Sequence, residues 1–356
     1  MIAISKIIMN KFLTSLLLGS LILGGCSEKQ PEDKEISVLQ FNIWQEGTVI
    51  PGGFDAIADE IARLKPDFVT LSEVRNYHDT RFCDRIVGAL ADRGEEYHSF
   101  YSYDSGLLSR YPLTDSATVF PHEGDHGTIY RLNTQIDGKP FAVYTGHLDY
   151  QNDTYYEVRA YDGNNWSRMA APLTDVDSIL TRNALSLRDE AIDSFLADAS
   201  KQMENGAIVI FGGDFNEPSH LDWTVATRDS ADHHGVVIEW PNTLSLSKAG
   251  FRDAYREVHP DPLTHPGYTY PSDNSALPPE KITWAPLSDE RDRIDYIFFH
   301  PGNSSEMEAV EASVFGPRGS IVRGERINEC SADSFIQPAG VWPTDHKGVL
   351  VRLRYR

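Results

Sequence analysis

Short apolar runs that end on a polar residue recur along this chain, and they restrict its fold more than any other feature. "VLQFN" closes on Asn42, "FVTLSE" on Glu73, "FAVYTGHLD" on His147 and Asp149, and "IVIFGGDFN" on Asp214 and Asn216. "RIDYIFF" carries Asp295, and Asp345 with His346 stands just before "KGVLVRL". The runs are continuously apolar and rich in β-branched and aromatic residues, as buried strands are. Between them, Phe54, Ile57, Ala58, Ile61 and Leu64 fall at helical spacing with Pro66 as a stop. A second helix is expected over Thr80 to Asp92, and Leu187, Ala191, Phe195, Leu196, Ala199 and Met203 stripe a third. "EYHSFYSYD", "GLLSRYPL", "SATVFP" and "GTIYRLNTQID" read as further strands, the last followed by an Asp-Gly hairpin signal. Mixed connections between strands and helices predict an α/β sandwich whose sheets are covered by helices. No repeat or low-complexity linker divides residues 36–356, so one domain is expected there, with Tyr150 to Ser178 as a long inserted, aperiodic loop.

Charged, amide and imidazole groups so close to core strands cost free energy unless they are paired, hydrogen-bonded or bound to a cation. One would be a satisfied structural group; half a dozen predict a shared polar centre. In "GAIVIFGGDFNEPSH", Gly212 and Gly213 permit a turn or a close approach. Asp214 and Asn216 share one side of an extended backbone, although an Asx turn would use the same residues.

The N-terminus is separate. "MIAISKIIMNKFLTSLLLGSLILGGCSEKQ" places Lys6 and Lys11 before an apolar run from Phe12 to Leu23, the pattern of a secretory signal. The run is shorter than the roughly 20 apolar residues of a membrane span. "LGGC" resembles a bacterial lipobox, which implies cleavage after residue 25, lipidation of Cys26 and a polar tether over 26–35; an uncleaved anchor helix is the alternative. The expected location is the bacterial cell envelope, with the membrane as a partner through that lipid. Cys83 and Cys330 remain, paired or free. The formal charge of −21, from 32 basic and 53 acidic residues, disfavours avid nonspecific binding to nucleic acid.

"FNIW", "LSEV", "SRYPL", "TGHLDY", "GGDFNEP", "RDRIDYIFF" and "PTDHKGV" occur in one order from about Ile36 to the C-terminus. The chain thereby resembles the endonuclease/exonuclease/phosphatase superfamily, the deoxyribonuclease-I-like metallohydrolases. The resemblance implies a four-layer α/β/β/α sandwich, two mixed sheets packed face to face between helices, and hydrolysis of phosphate esters with Mg²⁺ or Mn²⁺. It implies Glu73 as the principal metal ligand, with Asn42 close to the metal and phosphate and Asp345 a second candidate ligand. Asp214 would activate water, Asn216 would donate to the phosphate, and His147 and His346 would stabilise charge or exchange protons. Asp295 would hold His346. Such chemistry needs charge neutralisation and positioning above all, and hard cations take oxygen ligands.

Asp149, Trp166, His220 and Arg293 are candidate substrate contacts. "SHLDW" (Ser219 to Trp223) is expected to line the pocket. Tyr155 and Tyr156 serve either stacking or packing, Arg291 and Arg293 either phosphate binding or a surface charge network, and His122 and His126 either border the cleft or sit in a polar loop. Glu217 reads as solvent-exposed. The expected protein is an exported monomeric phosphodiesterase or phosphatase for a glycan, lipid head group or nucleotide. The alternatives are a secreted nuclease and a non-catalytic surface lipoprotein. The long loop, the acidic balance and "RDRID" in place of the "WCDR" of inositol-polyphosphate phosphatases leave the substrate open.

Overall fold

The inner face of each central strand is apolar at one end and polar at the other, and this gradient organises the molecule. The computed structural model describes residues 33–121, 123–302 and 306–356. Along β1 (Lys34–Asn42), Ile36 and Val38 point into the layer between two sheets while Leu39 and Phe41 point outward. The same parity carries Gln40 and Asn42 inward. Strands β2 (Phe68–Val74), β6 (Lys139–Leu148), β7 (Ile208–Asp214) and β9 (Asp295–His300) repeat it. Phe68, Phe141, Val143, Ile208, Ile210, Ile297 and Phe299 fill the apolar end of the same layer.

The first sheet runs β13 (Phe335–Ile336), β10 (Met307–Phe315), β14 (Gly348–Tyr355), β1, β2 and β3 (Asp104–Ser109). The second runs β4 (Leu113–Phe120), β5 (Gly127–Ile136), β6, β7, β9 and β8 (Arg252–Asp253). Both are mixed: β1 pairs with β2, β10 with β13 and β6 with β7 in parallel, the other neighbours antiparallel. A hairpin of β11 (Gly319–Val322) and β12 (Glu325–Asn328) stands apart from them.

Helices α1 (Gly53–Leu64) and α2 (Phe82–Ala91) cover the outer face of the first sheet through Ile57, Ile61, Phe82, Ile86 and Leu90. Helix α5 (Arg188–Glu204) and α6 (Pro241–Lys248) cover the second through Ala191, Ile192, Phe195, Ala199 and Leu246. The result is the expected four-layer sandwich, and residues 33–356 form one compact unit. Each fully buried Leu, Ile, Val or Phe contributes about 1.5–3 kcal/mol. Helix α1 ends where expected, with Lys65 in the left-handed region before Pro66. Asp137 and Gly138 both have positive φ, 53° and 80°, the requirement of the tight turn joining β5 to β6.

Three expectations need correction. "EYHSFYSYD" does not form a strand; it pairs with β3 only through a bridge between His98 and Ser109. The segment from Tyr150 to Ser178 is not an aperiodic loop. It contains α3 (Thr154–Val158) and the start of α4 (Val176–Asn183), and its Tyr155, Tyr156, Val158 and Tyr161 build a fourth apolar cluster with Trp223, Trp240 and Ala285. Gly212 and Gly213 do not turn the chain, because β7 runs through them to Asp214. Their purpose is close approach: a Cβ on Gly212 would meet Thr70 Oγ1 of the facing sheet at 2.3 Å, and one on Gly213 the carbonyl of Gly146 at 2.5 Å.

The expected signal peptide, Cys26, His122 and most of the expected 26–35 tether lie outside the described residues, while Lys34 and Glu35 belong to β1. Cys83 is buried and Cys330 exposed, and both are free. Helix α7 (Ala254–Val258) completes the elements, and among the described residues no helix is long and apolar enough to cross a membrane.

Candidate active site

At the polar end of the inter-sheet layer, hydrogen bonds replace apolar packing. Thr70 donates to Gln40 Oε1 (2.6 Å), Gln40 Nε2 donates to Ser72 Oγ (3.2 Å) and to Asp295 Oδ1 (3.2 Å), and Ser72 Oγ donates to the Gly146 carbonyl (3.2 Å). A buried polar group left without a partner costs about 1–3 kcal/mol, so this ladder lets both sheets end in polar residues. Above it, Asn42, His147, Asp214, Asp295 and His346 converge.

Asp214 lies between the two imidazoles, its Oδ2 at 4.0 Å from His147 Nε2 and 3.8 Å from His346 Nε2. Each imidazole turns Nδ1 to a second carboxylate: His346 to Asp295 at 3.0 Å and His147 to Asp104 at 2.9 Å. These contacts orient the rings so that both Nε2 atoms face Asp214. Burial opposes protonation of His147, yet the charge and hydrogen bond of Asp104, with Asp214 and Glu73, hold it up at about 9. Burial likewise opposes protonation of His346, and Asp295 and Asp214 outweigh it, holding that ring up at about 10. Burial and the negative charge of Asp295 raise Asp214 to about 6, against the two imidazoles.

Glu73 reaches the site through a backbone irregularity. The β2–β3 register shifts between Ser72 and Val74, and Glu73 in the gap has φ 69°. Such a bulge re-aims one side chain out of the ladder. Its Oε2 accepts the Gln45 N–H at 3.0 Å, and its Oε1 lies 3.3 Å from Asn42 Nδ2. Next to it, Trp44, Gln45 and Glu46 all have positive φ, at 40°, 54° and 62°. Strain of this kind persists only where its surroundings enforce it. Here the buried Glu46 carboxylate accepts the Arg75 N–H (3.0 Å), the Asn76 N–H (2.5 Å) and the Arg85 guanidinium (2.5 Å). Trp44 and Gln45 are thereby placed on the wall of a cleft of about 350 Å³.

Glu73, His147, Asp214, Asn216, Asp345, His346 and Trp166 all line that cleft. Asn216 is in the left-handed region at φ 47° and donates Nδ2 to the Leu148 carbonyl at 2.9 Å, 3.2 Å from His147 Nε2. Burial lifts Asp345 to about 7, against His346 and with the charge of Glu73. Glu73 and Asp345 thus bring two carboxylates to one cleft, and carboxylate oxygens are the donors a hard divalent cation takes.

Ligand atoms of Asp214, Asp295 and His346 lie within 4.8 Å of one another and could hold a metal ion, although Asp295 and His346 already bond to each other and Gln40 holds the other oxygen of Asp295. Asn42 Oδ1 accepts the Trp44 N–H at 2.9 Å, and its Nδ2 donates to Asp214 at 2.8 Å and lies 3.3 Å from Glu73 Oε1, so its amide helps position both carboxylates.

Three proposed substrate contacts lie elsewhere. Asp149 is buried and accepts the backbone N–H groups of Leu187 (2.9 Å) and Gln151 (3.0 Å), with His126 Nδ1 at 3.1 Å, tying the end of β6 to the start of α5. His220 bonds Thr243 at 2.9 Å and faces a separate depression. Arg293 is buried between Asp222 (2.9 Å) and Asp253 (2.7 Å). Nor does "SHLDW" line the cleft, for Trp223 is buried and donates to Asp292 at 2.9 Å. Glu217 is fully buried, accepting from Asn183 (2.7 Å) and Asn242 (2.9 Å). Arg291 pairs with Asp289 and Glu329. Asp104, Arg75, Tyr150, Tyr270 and Trp284 were not singled out by sequence, although the last four line the cleft. Arg75 directly follows the "LSEV" motif and Tyr150 closes "TGHLDY", the signals that could have found them.

A sequence profile of the Endonuclease/Exonuclease/phosphatase family matches residues 39–346. The uncharacterized Caenorhabditis elegans protein F14F9.5 is 31% identical over 271 residues, 74% of this chain and 78% of that relative. D. rerio TDP2, solved with a single-strand DNA product, superposes with a TM-score of 0.50 at 16% identity over 90% of this chain and 98% of that one. The human Nocturnin catalytic domain with bound sulfate gives 0.47 at 15% identity over 90% and 95%. At 16% identity the likeness to D. rerio TDP2 is one of fold. Profile and relative together establish that the chain belongs to the Endonuclease/Exonuclease/phosphatase family, a family of phosphoester hydrolases.

Proposed function

We propose that the protein is an exported, divalent-metal-dependent hydrolase acting on a small or surface-presented organic phosphate, anchored at the bacterial envelope through a lipid on Cys26. One observation carries the catalytic part: Glu73 and Asp345, Asp214, and His147 and His346 border a single cleft of about 350 Å³. Glu73 and Asp345 would hold Mg²⁺ or Mn²⁺, which when bound neutralises charge on a phosphate oxygen. Asp214, titrating at about 6, is ionised at neutral pH and accepts the proton of the attacking water. As the water oxygen bonds phosphorus, the ester P–O bond breaks. One imidazolium passes its Nε2 proton to the departing oxygen and the other donates a hydrogen bond to the anionic phosphate. Asn42 holds Asp214 in place. Asn216 supplies an amide at the rim.

Dialysis against a chelator is expected to abolish hydrolysis of aryl phosphate monoesters or diesters, and Mg²⁺ or Mn²⁺ to restore it. An Asp214→Asn variant is expected to lose about 10²–10⁴ in kcat. Hydrolysis that persists in excess chelator overturns the metal requirement. Inertness toward every ester with metal present overturns the enzyme. Turnover of polymeric DNA that falls steeply with salt would instead mark a nuclease. Anchoring is tested by membrane fractionation, where Cys26→Ser is expected to release the protein.

A further inference from the structure

The hydrolytic groups occupy only part of the cleft. Tyr150, Trp166 and Trp284 line the same space, the first two from either side of α3 and the third from the segment before β9. Tyr150 and Trp166 are nearly parallel, with centroids 6.3 Å apart and planes 14° apart. Trp166 and Trp284 follow at 4.7 Å and 30°. The three rings thus form a continuous row. Behind it, Tyr155 and Tyr156 also border the cleft and are buried against Trp240 and Trp223, so the wall has a rigid backing.

Packing alone does not account for this row. Trp284 remains 50% exposed, and Trp166 sits in the left-handed region at φ 54°, a conformation bulky residues rarely adopt without a constraint. The rings stack in sequence and do not surround a point, a geometry that suits the face of a ring better than an ammonium group. A cleft of about 350 Å³ is in the range of small-molecule sites.

We propose that Tyr150, Trp166 and Trp284 are a ring-binding subsite, which takes the face of a base or sugar joined to the phosphate held by Glu73, Asp345 and the imidazoles. The substrate class is therefore a small ring-bearing organic phosphate, in preference to an acyclic one. This rests on the hydrolytic reading of the same cleft.

The test compares adenosine monophosphate, a hexose phosphate and glycerol phosphate as substrates of the metal-loaded protein, with the matching diesters run in parallel. Stacking on one aromatic side chain changes affinity by roughly tenfold. Trp284→Ala is therefore expected to lower the kcat/KM ratio of the preferred ring-bearing substrate over the acyclic one by about tenfold, and Trp284→Phe to restore most of it. Preference for the nucleotide or for the sugar identifies the ring. Calorimetric binding of the same ligands to the Asp214→Asn protein gives a readout that does not depend on turnover. There, an aromatic-dependent preference for ring-bearing ligands supports the subsite even if no ester is hydrolysed. Hydrolysis without ring selectivity, or a ratio that Trp284→Ala leaves unchanged, overturns the subsite while leaving the hydrolase intact.

Discussion

Replacing Asp104 by Asn leaves the shape of the His147 contact almost unchanged and removes its charge. Holding that buried imidazole up at about 9, against an ordinary 6.5, is worth about 3 kcal/mol for a single proton. Asp104 is the largest contribution acting in that direction, ahead of Asp214 and Glu73. Without it, burial dominates and His147 becomes neutral near pH 7. A folded-state value raised above the unfolded one stabilises fully below about 6.5 and is lost as pH rises through about 9. The difference between wild type and Asp104→Asn should therefore be greatest near pH 6, at roughly 2–3 kcal/mol, and shrink toward pH 9.5. A smaller part, from the 2.8 Å pair between Asp104 and Arg75, should persist at every pH. Urea unfolding in chelator at pH 6, 7.5 and 9.5 measures this, and NMR titration of the His147 ring reports the proton directly. A stability difference equal at all three pH values would refute the reasoning, as would a His147 that still titrates near 9 in the variant.

The remaining predictions separate the cleft from the framework. Gly212→Ala puts a methyl group 2.3 Å from Thr70 Oγ1, and overpacking of this kind should cost about 1–3 kcal/mol in denaturant unfolding, with kcat falling because Asp214 is two residues on. Asp149→Ala strips two backbone N–H groups of their acceptor and should cost about 2–3 kcal/mol, while KM changes less than twofold; a large KM effect at full stability would return Asp149 to the cleft. Arg293→Met removes the cation from Asp253 Oδ2 and from part of Asp222 in the interior, while Asp253 Oδ1 keeps the Tyr255 and Arg256 N–H groups, so a loss of about 3–5 kcal/mol is expected, visible as a lowered Tm.

The separation between what the sequence discloses and what it withholds has a physical origin. Strands are legible because apolar β-branched runs have no other economical use, and the polar residues that close them are legible as a group because isolated ones would be costly. Residue type alone does not reveal direction. His147 and Asp149 have the same parity in sequence, yet β6 ends at Leu148, and beyond it the chain turns Asp149 toward α5. Glu217 and Arg293 mislead for the same reason, since a buried ion network and an active site draw on one vocabulary of side chains. Asp104 is hidden in the opposite way. It lies in "YSYDSG", with no periodicity to mark it, and becomes the partner of His147 only because β3 pairs with β2 across the bulge that also exposes Glu73. One irregularity thus sets both a carboxylate of the candidate metal pair and the brace of an imidazole. Trp284 is more distant still, for it joins Tyr150 and Trp166 through contacts between segments more than a hundred residues apart. Chemistry shared by a family is therefore readable from strand ends, whereas the features that would choose a substrate arise where unrelated loops meet.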